Sequence, residues 1–261
     1  LNNKYKTLHS DIKPENILIC GTSNKVNEII SAFNKNDKIL QQLNKKNKIN
    51  KKQIKKMVGG VKFDDIEKKY DGDKHKKDSE LEYVNDSCIQ NITSKLADFG
   101  NCRSLDYEMY DIQTRYYRAP EIILEYRYNH LCDMWSVGCV IYELLFGEML
   151  FDPDSKRRFG RKRNHIYEMN KIIGKIPDEL LNVSQRYSYF YKSNGLLKRV
   201  NHIDYKPLAD ILTEKLENKK NVSSEEIILT IDIMEKLLQY DPYKRLSPDA
   251  ALKHKWFANI K

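Results

Sequence analysis

The sequence lacks the cysteine patterns of a disulfide framework or a zinc site. Its five cysteines are odd in number, and no two of them form a CxxC pair. Structural disulfides and cysteine-based zinc sites use paired spacings. We therefore expect reduced thiols in a cytoplasmic or nuclear setting. The five are Cys20, Cys88, Cys102, Cys132 and Cys139.

Long apolar runs are also missing. The longest strongly apolar stretch, residues 137–146, is interrupted by Glu143. It falls short of the roughly 20 residues that cross a bilayer. No signal-peptide pattern is present, so neither a membrane span nor a membrane partner is expected. The chain opens on Leu1 rather than Met, and we expect the true amino terminus and any targeting signal to lie upstream.

Arginine is absent from residues 22–90, which hold 16 Lys and 11 Asp plus Glu. This segment supplies +5 of the formal net charge of +9. Without arginine it lacks the guanidinium groups that bind phosphate through two hydrogen bonds, and with few aromatic residues it lacks rings on which bases stack. Nucleic-acid binding is therefore not expected. Sustained hydrophobic periodicity is absent as well. The sequence predicts a disordered insertion at residues 22–90, between residues 1–21 and 91–261.

The first chemical motif is HSDIKPEN at residues 9–16. It resembles the catalytic loop of protein kinases, whose family form is H-R-D-L-x-x-x-N. Phosphoryl transfer needs a carboxylate that orients the substrate hydroxyl and an oxygen ligand for a metal ion. The resemblance implies that Asp11 is the catalytic base, that Asn16 binds the metal, and that Lys13 faces the transferred phosphate. It also places Leu18 at the nucleotide; the alternative is an ordinary polar turn.

The second motif is DFG at residues 98–100, about twenty residues before APE at residues 119–121. In protein kinases this Asp binds the Mg²⁺ that bridges the nucleotide phosphates, so the resemblance implies that Asp98 is a second metal ligand. Thr114 stands where Ser/Thr kinases keep a threonine bonded to the catalytic Asp and Lys. A surface threonine is the alternative for that position.

The expected fold class is mainly α, a kinase-like C-terminal lobe with a small β-hairpin region and without an N-terminal lobe. Apolar side chains surround the axis of a helix predicted over residues 133–146, which should therefore be a buried central helix. Its first residue, Asp133, matches the kinase residue that anchors the catalytic-loop backbone. Short β-like pieces at residues 16–20 and 94–97 predict a hairpin that flanks the insertion.

Further patterns indicate the scaffold of this lobe. Ser223 and Glu226 have the spacing of a capping box, and Ser247 before a proline is an expected N-cap. By resemblance to kinases, Glu121 and Arg245 would form a buried ion pair.

Within the kinases, the chain resembles the SR-protein kinases, which phosphorylate serine in arginine-serine repeats of splicing factors. That family carries a long spacer where residues 22–90 fall. A dual-specificity or cyclin-dependent-like relative stays open, because the DFG and APE triplets follow the general kinase pattern. The matching stretches are residues 111–118, 150–153, 164–166 and 173–177.

Two departures from expected kinase patterns concern regulation and docking. Ser10 replaces the arginine that in kinases usually receives an activation-loop phosphate, which predicts activity without such a phosphate, a trait that the SR-protein kinases share. In the acidic groove that binds arginine-rich peptides, Glu148 keeps one acid, whereas Asn164 and Lys171 stand where two others are expected. Residues 156–163 add six positive charges. These charges would repel an arginine-rich peptide, although a solvated loop, a nuclear-import patch or an acidic or phosphorylated partner remain alternatives.

The sequence thus predicts a Ser/Thr protein kinase that uses ATP and Mg²⁺ and acts on arginine-serine-rich splicing-factor-like proteins. No Gly-rich loop precedes the catalytic loop, so we expect these 261 residues alone to be inactive. The alternatives are a non-catalytic docking or scaffold lobe and a related kinase with a different substrate.

Overall fold

The computed structural model of the chain describes residues 7–20, 93–104, 111–153, 160–219 and 221–258. Two units are distinguished, one of residues 1–17 with 96–261 and one of residues 18–95. In the second unit the described residues, 18–20 and 93–95, lie on two hydrogen-bonded strands, β2 (Ile17–Cys20) and β3 (Thr93–Leu96). The predicted pairing of these two segments is therefore confirmed. The predicted disorder of residues 22–90 falls outside the described residues.

The first unit is mainly helical in its described part, which confirms the predicted fold class. Strand β1 (Thr7–Leu8) pairs antiparallel with β4 (Arg103–Ser104). None of the described helices is both long and apolar enough to cross a membrane. The helices are α1 (Pro120–Leu124), α2 (Cys132–Phe146), α3 (Arg161–Ile172), α4 (Asp178–Asn182), α5 (Tyr187–Phe190), α6 (Leu208–Glu217), α7 (Ser224–Leu237) and α8 (Pro248–Leu252).

Helix α2 is the centre of the first unit, as the sequence predicts. Trp135 is fully buried and stacks between Phe151, at 5.8 Å, and Tyr240, at 6.1 Å between ring centroids. The burial does not continue to the end of the helix, because Leu144 is 72% exposed. The prediction of apolar contacts all round α2 is thus wrong for its last turns.

The predicted helix caps are present. The Ser223 hydroxyl accepts a hydrogen bond from the Glu226 N–H at 3.2 Å, and the Ser223 N–H donates to Glu226 Oε2 at 2.7 Å. Both bonds of the capping box therefore fix the start of α7. Ser247 caps α8 by accepting a bond from the Ala250 N–H at 3.3 Å.

A buried ion pair joins α1 to the segment after α7. Arg245 Nη1 and Nη2 lie 2.6 and 2.9 Å from the two oxygens of Glu121, and both side chains are 0% exposed. The guanidinium also donates to the carbonyls of Leu131 and Gln239. Burial alone would lower the pKa of Arg245, but the charge and hydrogen bonds of Glu121 raise it. The predicted pair is confirmed, and all three guanidinium nitrogens donate hydrogen bonds.

Glu121→Ala should therefore destabilise the fold by about 3–5 kcal/mol, because it leaves the Arg245 charge buried without its counter-ion. Guanidinium chloride unfolding measures the loss. Lys236→Ala removes an exposed pair with Asp232 and should cost less than about 1 kcal/mol. Replacing both partners, Glu121→Leu with Arg245→Met, should recover much of the loss. A Glu121→Ala variant as stable as Lys236→Ala would contradict this account.

Candidate active site

The catalytic loop is fixed to the central helix through one carboxylate. Asp133, in the first turn of α2, accepts the N–H of His9 at 2.6 Å and the N–H of Ser10 at 3.0 Å, one on each oxygen. Burial raises the pKa of Asp133, and the two backbone bonds oppose that rise. Ser10 has φ 66°, in the left-handed region. The backbone therefore turns sharply just before Asp11 and is held there.

Three of the predicted site residues meet around the fourth, Asp11. The Thr114 hydroxyl donates to Asp11 Oδ1 at 2.6 Å, and Lys13 Nζ donates to Oδ2 at 2.9 Å. Lys13 also donates to the Thr114 hydroxyl at 3.2 Å. Asn16 Nδ2 donates to the Asp11 carbonyl at 2.8 Å, which leaves its Oδ1 as the atom suited to a cation.

Electrostatics keep this carboxylate ionised. Burial alone would raise the pKa of Asp11, but hydrogen bonds from Thr114 and Lys13 and the Lys13 charge together lower it. In turn, the hydrogen bond to Asp11 raises the pKa of Lys13. At neutral pH the pair is an anion beside a cation, so Asp11 accepts hydrogen bonds and Lys13 offers positive charge.

Asp98 lies in a segment that runs alongside the catalytic loop. It is exposed and adopts the left-handed conformation, with φ 61° and ψ 59°. The preceding Ala97 donates to the Asn16 carbonyl at 2.8 Å, and its own carbonyl lies 2.9 Å from His9 Nε2. The Phe99 ring meets the His9 ring edge-on, with centroids 5.2 Å apart. Asp98 is thereby held next to Asn16 in the first unit.

These residues fit a magnesium ion bound together with a nucleotide. Asn16 and Asp98 supply an amide and a carboxylate oxygen, the hard ligands that Mg²⁺ prefers. The described residues contain no cluster of three or more His, Cys, Asp or Glu that could enclose a metal. Two protein ligands suit Mg²⁺, which keeps waters and phosphate oxygens in its shell. Leu18 lies in the second unit and is 52% exposed, so its role at the nucleotide stays a prediction.

Sequence reasoning missed Gln113 as an organising residue. Its N–H donates to the Ser10 carbonyl at 2.9 Å, and its side-chain amide donates to the Cys132 carbonyl and to the Ser136 hydroxyl. Its Oε1 accepts the Ala119 N–H at 2.9 Å. Gln113 therefore links the catalytic loop, the segment before α1 and α2. The sequence around Gln113 does not show that this polar side chain is buried, so it gives no signal for this role.

One of the three predicted docking residues is buried. Asn164 is 0% exposed on α3, so its assignment as a docking residue is wrong: no peptide can reach it. Glu148 is held by Lys215 at 2.6 Å and by the Tyr142 hydroxyl at 3.1 Å, and these contacts lower its pKa. Lys171 is partly buried near the end of α3, and its contact with a peptide stays a prediction.

The predicted basic run also needs correction at its end. Arg163 is buried and donates to the Tyr189 carbonyl at 2.9 Å, with its guanidinium 5.3 Å from the centre of the Tyr189 ring. It therefore belongs to the interior rather than to a repulsive surface. Residues 156–159 lie outside the described residues.

Two arginines before α1 lie beside part of the predicted basic run. Arg115 and Arg118 line one small cleft, about 10 Å³ in volume, with Arg161 and Lys162 from the first turn of α3. His165 also lines this cleft, and burial lowers its pKa to about 3, with Arg118 and Arg115 adding to the effect. The two pairs are more than 40 positions apart in sequence, so only the fold shows that they share a cleft.

Thr114→Val should raise the pKa of Asp11, because it removes the shortest hydrogen bond that stabilises the carboxylate. An NMR titration of the Asp11 carboxyl measures the change. Thr213→Val removes a hydroxyl that bonds the Ala209 carbonyl in α6 and should leave that pKa unchanged. An equal Asp11 pKa in all three proteins would show that Thr114 does not tune the site.

The protein kinase domain model matches residues 85–257, which begin after the catalytic loop at residues 9–16. The serine/threonine-protein kinase SKY1 of Saccharomyces cerevisiae is 34% identical over 63% of this chain and 22% of its own length. The dual specificity protein kinase CLK2 of Homo sapiens is 32% identical over 66% of the chain and 33% of its own length. A putative serine/threonine-protein kinase, L205 of Acanthamoeba polyphaga mimivirus, is 33% identical over 75% of the chain. The chain spans between 22% and 37% of the length of these relatives.

Proposed function

The chain belongs to the protein kinase family, and we propose that its site transfers the γ-phosphate of ATP to a hydroxyl of a protein substrate. The observation that carries the proposal is the ionised Asp11, held by Thr114 and Lys13 beside Asn16 and Asp98. Phosphoryl transfer depends on positioning and charge stabilisation more than on covalent chemistry, and these residues supply both.

Each residue has a distinct task in this proposal. Asp11 accepts a hydrogen bond from the substrate hydroxyl and aims it; its lowered pKa makes it a weak base that takes the proton late. Lys13 places positive charge beside the transferred group. Asn16 and Asp98 would hold Mg²⁺, which when bound neutralises charge on the phosphates.

The relatives include SKY1, CLK2 and the protein kinase dsk1 of Schizosaccharomyces pombe, which confirms the resemblance to SR-protein kinases. On this basis the proposed acceptor is a serine in arginine-serine-rich, splicing-factor-like proteins. CLK2 is named a dual specificity kinase, so tyrosine is the rival acceptor. A matched pair of serine and tyrosine peptides distinguishes the two. The cytoplasmic and nuclear setting stays a prediction.

Asp11→Asn should lower kcat by about 10²–10⁴-fold, the usual range for an acid–base group, and Asp98→Ala should remove turnover by removing a metal ligand. The assay uses MgATP and a protein that carries both kinase lobes, and melting curves check the fold. Asp178→Asn is the control, because that exposed carboxylate in α4 pairs with Lys175 at 2.7 Å on the protein surface. Turnover near that of the control in Asp11→Asn would favour a non-catalytic scaffold lobe.

The cationic cleft bears on the choice of peptide. Arg115, Arg118, Arg161 and Lys162 line one small cleft, and Arg115 directly follows Thr114, which contacts Asp11. Arg118 is bonded to the Gln113 carbonyl, and the other three positive groups favour a phosphate or carboxylate and oppose an arginine at that subsite. We therefore expect the substrate to place an acidic or already phosphorylated residue there, with its arginines elsewhere.

A peptide with one phosphoserine near the acceptor should show a KM about ten-fold below that of the unphosphorylated peptide, the factor expected from one charge-assisted hydrogen bond. Arg161→Glu should remove this preference. Lys253→Glu makes a similar charge change at an exposed site after α8 and should keep it. Equal KM values for the two peptides with the unmodified protein would refute the cleft's role, while leaving phosphoryl transfer untouched.

A further inference from the structure

We propose that Ser10 is a positioning residue whose hydroxyl ties the catalytic loop to the segment that carries Asp98. Its Oγ donates to the Asn101 carbonyl at 2.5 Å, across 91 positions of sequence. Ser10 is 3% exposed, so its hydroxyl is shielded from water, whereas Asn101 is exposed. The inference rests on the proposed function, because it concerns the alignment of the two metal ligands.

Ser10 is fixed before its hydroxyl makes this contact. Its N–H is bound to Asp133 at 3.0 Å, and its carbonyl accepts the Gln113 N–H at 2.9 Å. Both backbone polar groups are therefore committed to parts of the first unit that do not include the Asp98 segment. The backbone of Ser10 is held on both sides, so the position of its side chain is fixed. The hydroxyl therefore holds the segment that contains Asn101 in place.

With the Ser10 hydroxyl bond, the backbone is held by hydrogen bonds on both sides of Asp98. On the amino-terminal side, Ala97 is bonded in both directions, to the Asn16 carbonyl and to the His9 ring. On the carboxyl-terminal side, Asn101 ends the tight turn Phe99–Asn101 and receives the Ser10 bond. Asp98 adopts the left-handed conformation, which is costly for a non-glycine residue and persists only when its surroundings impose it. Without the Ser10 bond, one end of this turn loses its tie to the catalytic loop.

A short side chain makes this contact. From a backbone whose N–H is held by Asp133, the Ser10 hydroxyl reaches the Asn101 carbonyl directly. The alignment of Asp98 with Asn16 then comes from an internal bond, and no modification of another segment is required to establish it.

The test uses Cys102, the residue after Asn101, as a reporter. Cys102 is partly buried, whereas Cys132 and Cys139 are buried. In a chain with Cys20 and Cys88 changed to Ser, Ser10→Ala should speed thiol labelling of Cys102 by about five-fold, the factor equivalent to the net worth of one hydrogen bond. Labelling of Cys132 and Cys139 should not change. Because burial raises the pKa of the Cys102 thiol, all proteins are compared at one pH.

Ser184→Ala is the matched control. Its hydroxyl donates to the Leu124 carbonyl at 2.5 Å, the same kind of bond in a different part of the first unit. It should leave Cys102 labelling unchanged. Ser10→Gly removes the hydroxyl while easing the left-handed backbone, and it should behave like Ser10→Ala if the hydroxyl is what matters.

Two outcomes would overturn the inference. Unchanged Cys102 labelling in Ser10→Ala and Ser10→Gly would show that the bond does not hold the segment. Faster labelling of all three cysteines would show a loss of global stability rather than of local alignment. The measurement needs no turnover, so it stands apart from the Asp11→Asn test: phosphoryl transfer could fail while the Ser10 tie holds, or the reverse.

Discussion

The Asp133 carboxylate, buried at the start of the central helix, is the constraint on which the site depends. It accepts two consecutive backbone N–H groups, from His9 and Ser10, and so converts a loop into a fixed extension of α2. An ionised carboxylate accepting two N–H bonds is held far more firmly than a neutral acceptor would be. Asp11 directly follows these two residues, so the hydrogen bonds from Asp133 fix the backbone from which Asp11 contacts Lys13 and Thr114.

Three carboxylates in the first unit show how environment divides tasks among identical groups. Glu121 is fully buried and neutralised by Arg245, which makes it part of the scaffold. Asp133 is buried against backbone donors and has a raised pKa, which suits an anchor. Asp11 has a lowered pKa and lines an open pocket together with Thr114, which suits a group that must meet a substrate. Glu121 and Asp133 fix the positions of other groups, whereas Asp11 faces this pocket.

Sequence patterns predicted the residues whose chemistry is local. Asp11, Lys13 and Asn16 lie within one loop, and the distant Asp98 and Thr114 were identified because each sits in a recognisable short motif. The structure brings these residues together, although their catalytic roles stay predictions. The polar face of α3 was misread, because Asn164 is packed in the interior and Arg163 donates to a carbonyl there. Polarity alone cannot tell a solvated helix face from one whose polar atoms are satisfied internally.

The strained backbone at the site was invisible to the sequence for a further reason. Ser10, Asp98 and Gln113 each have φ between 61° and 66°, a region that favours glycine, yet none is glycine. Each such residue costs about 1–3 kcal/mol and survives only where tertiary bonds determine it. Ser10 and Gln113 bind each other, and the Asp98 turn is bracketed on both sides. A glycine could adopt these angles freely, but it could not supply the hydroxyl, the amide or the carboxylate. The strain is therefore the consequence of placing functional side chains at backbone reversals, and the network around Asp133 makes that placement stable.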